Sequence, residues 1–214
     1  MRRKDLVELL LEKGAEVKVN EGGQGSLLWT AVSNSSGENK DGRDIVKMLL
    51  DKGADPNAVN RDHGDTVLNR AISNGNKDMV ELLIAAKADV NAKTNNGYTP
   101  LFQAINNGNK DMVAMLIAAK ADVNAKGSGG QTPLMQAVNY GNKDVITALL
   151  DAGADVNAKI INGQGVLKMA MQRGNPEIIE LLKARGAKED APKVETPKAE
   201  VPKAAVPVAA NVIF

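Results

Sequence analysis

A block of sequence returns every 33 residues. It reads Gly-x-Thr-Pro-Leu, then Ala, then Asn-Gly-Asn-Lys-Asp, an apolar run, and Ala-Asp-Val-Asn-Ala. The cleanest copy runs from Gly97 to Ala125. Gly64, Gly97, Gly130 and Gly163 share the spacing, as do Leu68, Leu101, Leu134 and Leu167, and Ala92, Ala125 and Ala158. A fixed period of this length predicts stacked units, each too small to bury its own apolar faces and each covered by its neighbours. The fold class expected is therefore an all-α repeat solenoid. Such a stack presents a surface and rarely carries chemistry.

The unit can be read residue by residue. Thr99 can cap a helix that opens on Pro100, where a missing N–H costs nothing. Leu101, Ala104 and Ile105 then share one helical face. Gly108 ends that helix. Asn109 and Asp111 suit the start of the next one, and Met112, Val113, Met115, Leu116 and Ile117 make it strongly apolar. Ala121 to Ala125 and the Gly-rich stretch Gly127 to Gly130 predict an extended segment with a tight turn, a hairpin-like finger leading into the next pair.

These residues resemble the ankyrin repeat family. The marks are Gly97-Tyr98-Thr99-Pro100-Leu101 with Ala104, and Gly130-Gln131-Thr132-Pro133-Leu134 with Ala137. The blocks Ala54 to Ala58, Ala88 to Ala92, Ala121 to Ala125 and Ala154 to Ala158 add to them. The resemblance implies a helix–turn–helix–hairpin stack that binds other proteins on its concave side. Residues 1–187 form the expected array, about five full repeats plus a partial N-terminal one, and 188–214 a tail.

The copies are unequal. Unit one holds only a second helix, Asp5 to Leu11. Unit two has a longer inter-helix loop, Ser33 to Asp44, read as a mobile segment or a wall of the groove. Unit six carries Gly165 and Val166 where Thr and Pro are expected, as suits a terminal repeat. Lys87 and Lys120 stand where Gly53, Gly153 and Gly186 stand elsewhere, which predicts mild strain if the left-handed cap persists. A stack opening on an outer helix leaves Leu28 and Trp29 poorly covered. The expectation is that the natural polypeptide extends upstream of Met1, or that another chain caps this end; otherwise the protein is expected to be a monomer.

Several function classes are disfavoured by composition. Lys+Arg number 27 and Asp+Glu 26, a net charge of +1, too balanced for nucleic acid or an anionic membrane as the main partner. There is no cysteine, which removes thiolate-metal and thiol-nucleophile chemistry. No segment is apolar enough to span a bilayer, and Asp5, Glu8 and Glu12 break the run a signal peptide needs. A cytoplasmic location follows unless a leader has been removed. His63 is the single histidine; between Asp62 and Asp65 it reads as a solvated turn before it reads as a weak metal site. The Gly-rich turn at Gly127 lacks the Lys-Ser/Thr sequel of a phosphate loop. No catalytic residue, metal or cofactor is expected. Asn57, Asn91, Asn124 and Asn157 recur at one finger position. In animal-cell members of the resembled family such asparagines can be hydroxylated, but a side chain bonding its local backbone is the stronger reading.

The tail from Lys188 carries Pro192, Pro197, Pro202 and Pro207, each five apart, and reads as a disordered, extended spacer. Its apolar end, Val212-Ile213-Phe214, can also be read as a ligand for PDZ-type domains or as a segment docking on the stack.

The resemblance implies a partner surface of finger tips and first helices. At the tips stand Arg61, Asp62, His63, Asp65, Asn95, Asn96, Tyr98, Ser128, Gln131, Ile160, Ile161 and Gln164. Trp29, Asn69, Phe102, Met135 and Lys168 lie on the first helices, and Tyr140 and Arg173 at their ends, equivalent to Asn74 and Asn107. Tyr98 and Tyr140 are expected as exposed anchors; Phe102 and Trp29 pack inward or face the groove. The function expected is a non-catalytic scaffold that binds another protein. The alternative is a recognition module of a larger protein or secreted effector whose catalytic or targeting part lies elsewhere.

Overall fold

The computed structural model describes residues 3–17, 26–35, 40–60 and 64–189. Among them are eleven α-helices and no named strand. They alternate between two layers. Inner helices are α2 (Leu27–Ser33), α4 (Val67–Ser73), α6 (Pro100–Asn106), α8 (Pro133–Tyr140) and α10 (Val166–Arg173). Outer helices are α1 (Arg3–Glu12), α3 (Lys40–Asp51), α5 (Lys77–Ala85), α7 (Lys110–Ala118), α9 (Lys143–Asp151) and α11 (Pro176–Ala184). Each inner helix packs on the outer helix that follows it, and neighbouring inner helices pack in series from α2 to α10. The tail from residue 190 onward lies outside the described residues.

The period sets the packing. Leu68, Leu101, Leu134 and Leu167 are all buried, and so are Ala71, Ala104, Ala137 and Ala170 one turn along. A leucine fills the space between layers, and an alanine lets adjacent inner helices approach. Outer helices close the core with Met79, Val80 and Leu83, and their equivalents Met112, Val113 and Leu116. Asn76, Asn109, Asn142 and Asn175 cap the outer helices, each accepting from the backbone N–H three residues on, at 3.0 to 3.3 Å. Unit six keeps the frame despite its degraded motif: α10 starts at Val166 with Gly165 as its cap residue in extended conformation.

The finger is less of a hairpin than the sequence suggests. Each is a short closure, with isolated bridges at Val59–Thr66 and Lys159–Gly165 but no named strand among the described residues. Asn60 N bonds Asp65 O, Thr94 N Tyr98 O, Gly127 N Gln131 O and Ile160 N Gln164 O, at 2.7 to 3.1 Å. Gly64, Gly97, Gly130 and Gly163 each donate back to the carbonyls of Asn60, Thr94, Gly127 and Ile160, at 2.8 to 3.1 Å. The recurring glycine of the period sits inside that closure with φ of +70° to +81° at Gly64, Gly97, Gly130 and Gly163, a conformation that a Cβ disfavours. Lys87 and Lys120 keep the left-handed cap, at φ +69° and +70°.

Two expectations change near the front of the array. The segment from Ser33 to Asp44 is not all loop: α3 opens at Lys40, so Lys40–Asp44 adds a further helical turn, with Asp41 in its first turn and Gly42 buried. Residues 36–39 lie outside the described residues. Leu28 is covered, at 2 % exposure, and Trp29 is half-buried against the core. Leu27 is the exposed neighbour, at 45 %. It joins Leu6 and Leu10 of α1 in a groove of about 620 Å3 between α1, α2 and α3, also lined by Ala31, Ile45 and Leu49.

Candidate functional site

Hydrogen bonds between repeats separate scaffold from free surface. The side chains of Asn57, Asn91, Asn124 and Asn157 bond across repeats, where the sequence suggests a local backbone partner. Each Oδ1 accepts from a backbone N–H of the following repeat, at Asp89, Asp122, Asp155 and Lys188, over 2.7 to 2.8 Å. The side-chain amides of Asn91, Asn124 and Asn157 donate to the carbonyls of Lys120, Gly153 and Gly186 in that same next repeat. Within each finger the aspartate two residues earlier accepts from the asparagine's own N–H, at 2.8 to 2.9 Å. The Asp-x-Asn core of the motif is thus a ladder that staples successive layers.

A second ladder runs along the inner helices. Asn74 donates from Nδ2 to Val32 O at 3.0 Å, and Asn107 donates to Ile72 O at 2.9 Å. The next equivalents are Tyr140 and Arg173. Tyr140 is 57 % exposed, and Arg173 reaches the Oδ1 of Asn139 at 3.4 Å. Here the scaffold pattern gives way to large exposed side chains. On the outer face, ion pairs join the helix starts: Lys110 to Asp144 at 3.7 Å and Lys143 to Glu177 at 2.9 Å. The Lys143 ammonium holds the Glu177 carboxyl below its usual range by direct hydrogen bonding. At the front, Lys4 does the same to Asp44, and its own pKa is raised in return.

Exposure differs among the residues expected on the inner face. Asn69, Phe102 and Met135 are buried. Asn69 is consumed in a capping box with Thr66, accepting from its hydroxyl at 2.7 Å. Phe102 lies beside Gly127 of the next finger, and Met135 packs in the core. Tyr98 is half-buried, not a free anchor: its ring meets Phe102 edge-on, with centroids 4.9 Å apart. Asn95, Asn96, Ser128, Lys168 and Arg173 are exposed, and Asp65, Gln131 and Gln164 are half-exposed. The two isoleucines part ways. Ile160 packs against the core, while Ile161 is 86 % exposed and its N–H bonds Gly129 O in the preceding finger at 2.9 Å. Arg61, Asp62 and His63 lie outside the described residues.

Two polar pockets open on this face. One, of about 410 Å3, is bounded by Asp65, Asn95, Asn96, Tyr98, Gln103 and Asn106. The other, of about 360 Å3, lies between Trp29, Ser33, Asn34, Asn60 and Arg70. Among the described residues no group of three His, Cys, Asp or Glu side chains is placed to hold a metal. No helix there is long and apolar enough to cross a membrane.

Stacked helix pairs, finger closures and the repeated motif coincide with a family profile described as ankyrin repeats, which matches residues 28–127, 68–160 and 126–193. The chain belongs to the ankyrin repeat family. Ankyrin repeats are in general protein–protein interaction modules. The E3 ubiquitin-protein ligase KEG of Arabidopsis thaliana is 35 % identical over 69 residues, 32 % of this chain and 4 % of that protein. An ankyrin repeat and KH domain-containing protein of Caenorhabditis briggsae is 34 % identical over 86 residues, 40 % of this chain and 3 % of its own length. Ankyrin repeat and SAM domain-containing protein 6 of Rattus norvegicus is 41 % identical over 54 residues, 25 % of this chain and 6 % of its own length. The matched stretches are thus small parts of these curated relatives, and the likeness is one of ankyrin repeats.

Proposed function

We propose that this ankyrin array is a non-catalytic scaffold that binds another protein through the face made by its fingers and inner helices. The observation that carries the reading is the break in the inner ladder. Asn74 and Asn107 spend their side chains on the preceding repeat, whereas the equivalent Tyr140 exposes more than half of its surface. A local rule abandoned in favour of an exposed aromatic is the mark of a contact residue. Neutral carboxamides along the same face suit a partner read by hydrogen bonds and aromatic area more than by charge.

A second reading is a recognition module within a larger protein. It is favoured by the relatives, whose names join ankyrin repeats to KH or SAM domains or describe a ubiquitin ligase. Both readings use the same face.

The test is affinity capture from native lysate with three baits: the wild-type chain, Tyr140→Ala/Arg173→Ala on the inner face, and Lys77→Ala/Glu81→Ala on α5. The reading expects the inner-face pair to lose a partner that the wild type and the α5 pair retain. Capture left unchanged by the inner-face pair, or loss confined to the α5 pair, would overturn it.

A further inference from the structure

Among the described residues, two buried side-chain oxygens have no hydrogen-bond partner within the protein, Ser33 Oγ and Thr99 Oγ1. Both residues line the polar pockets of the inner face. Thr99 is the sharper case, at 1 % exposure. Its equivalents in the neighbouring repeats are satisfied. Thr66 Oγ1 accepts from Asn69 N at 3.2 Å, and Thr132 Oγ1 from Met135 N at 3.3 Å. In Thr99 the corresponding N–H, of Phe102, bonds the Thr99 carbonyl at 3.0 Å instead. The hydroxyl is left over, and a buried hydroxyl left over is destabilising. An orphaned polar atom in an otherwise satisfied frame asks for an explanation.

The pocket around it has a definite chemistry. Its polar lining is mostly uncharged carboxamide, from Asn95, Asn96, Gln103 and Asn106, with Asp65 as the one carboxylate. Its shape depends on glycines of adjoining fingers. A Cβ on Gly127 would stand 2.6 Å from Cε1 of Tyr98, and one on Gly64 would stand 2.6 Å from Oδ1 of Asn95. Both walls are therefore held where a side chain at those glycines would not allow them.

We propose that this pocket receives a neutral carboxamide, the side chain of a glutamine or asparagine in the bound partner, with Thr99 Oγ1 among its hydrogen-bond partners. The proposal rests on the inner face being the binding face and names the group recognised there. A primary amide donates twice and accepts twice, so it matches the mixed donor and acceptor character of carboxamides and a hydroxyl together. An apolar group would leave Thr99 unsatisfied. A carboxylate would face Asp65 with like charge. A cation is drawn to Asp65 but accepts nothing from the amide donors.

The test uses three probes on the full chain: the N-acetyl methylamides of glutamine, glutamate and arginine, followed by backbone amide NMR shifts. The glutamine probe is expected to shift Asn96, Thr99 and Gln103 most, and more strongly than either charged probe. Thr99→Val removes the hydroxyl at nearly constant volume. It is expected to weaken the glutamine probe about tenfold while the array stays at least as stable to urea as the wild type. Gly127→Ala gives the same loss by a separate route, displacing the Tyr98 ring. An equal or larger response to the glutamate or arginine probe, or an unchanged glutamine response in Thr99→Val, overturns the proposal. That failure is distinct from failure of the binding-face reading, which shows instead as unchanged capture by Tyr140→Ala/Arg173→Ala.

Discussion

Asn124 and Asp155 are 31 residues apart in sequence and joined in space, Oδ1 of the first accepting from the N–H of the second at 2.7 Å. The same asparagine donates to Gly153 O at 3.1 Å. One side chain therefore satisfies both a donor and an acceptor of the next layer. Stability in a stack is a sum of unit and interface terms, and this contact belongs to the interface.

Asn124→Ala removes both bonds at an exposed site where water replaces part of them. The expected cost is about 1 to 2 kcal/mol in urea unfolding. Hydrogen exchange should locate it at the junction between α7 and α9, with α4 and α5 little changed. Uniform loss of protection across all repeats would contradict a nearest-neighbour frame.

Lys87 and Lys120 hold left-handed backbone without being glycine. The conformational penalty is about 1 to 2 kcal/mol, offset by the about 0.4 to 1 kcal/mol that glycine adds to unfolded-chain freedom. Lys87→Gly should thus stabilise by up to about 1.5 kcal/mol, read from the urea midpoint. Destabilisation would show that the lysine side chain makes contacts worth more than the strain.

The three threonines at the inner-helix starts should respond differently. Thr66→Ala breaks a capping box and is expected to cost about 1 kcal/mol or more. Thr132→Ala loses a longer cap bond and should cost less. Thr99→Ala loses no cap bond and should cost only its buried methyl. Equal losses at all three in calorimetry would mean that Thr99 caps α6 in solution.

Acid should loosen the outer face in a defined direction. Glu177 and Asp44 have carboxyls held below their usual range by Lys143 and Lys4. A carboxyl with a lowered folded-state pKa contributes stability above its unfolded pKa of about 4 and loses it as pH falls through the lower folded value. The Lys143–Glu177 pair is solvent-exposed and Lys4–Asp44 is partly so, so the effect is small and weakened by salt. Lys143→Met should flatten the acid limb of the urea midpoint between about pH 5 and pH 2, and an unchanged limb would remove the pair from the account.

The repeat made the helices legible because its signals are local. Pro100 and Pro133 at helix starts, the Asn caps and the Leu and Ala spacing each act within one turn. What lay beyond reading was set between repeats. The partners of Asn91 and Asn124 sit in the next layer, so a local bond was the natural reading. Tyr98 is half-buried because the next finger brings Gly127 against it, and Asn69 is buried because it closes a capping box. Leu27 and Leu28 look alike in sequence; the equivalents of Leu27 in later repeats, Val67, Pro100, Pro133 and Val166, are buried, whereas Leu27 faces the groove beside α1. The polar stretch Lys40–Asp44 reads as a loop because its counterpart in the next repeat, Asn74 to Asp78, is an Asn-Gly turn that enters the helix only at Lys77. Tyr140 and Arg173 stand in register with Asn74 and Asn107, but the ladder that Asn74 and Asn107 form with the preceding repeat is visible only in three dimensions.

The most direct measurement is amide hydrogen exchange of the array alone and with a captured partner. The account predicts protection confined to the fingers and inner helices, centred on Asn95 to Tyr98, Ser128 to Gln131 and the end of α8 at Tyr140. Protection centred on the outer helices α5, α7 and α9, with the fingers unchanged, would contradict it.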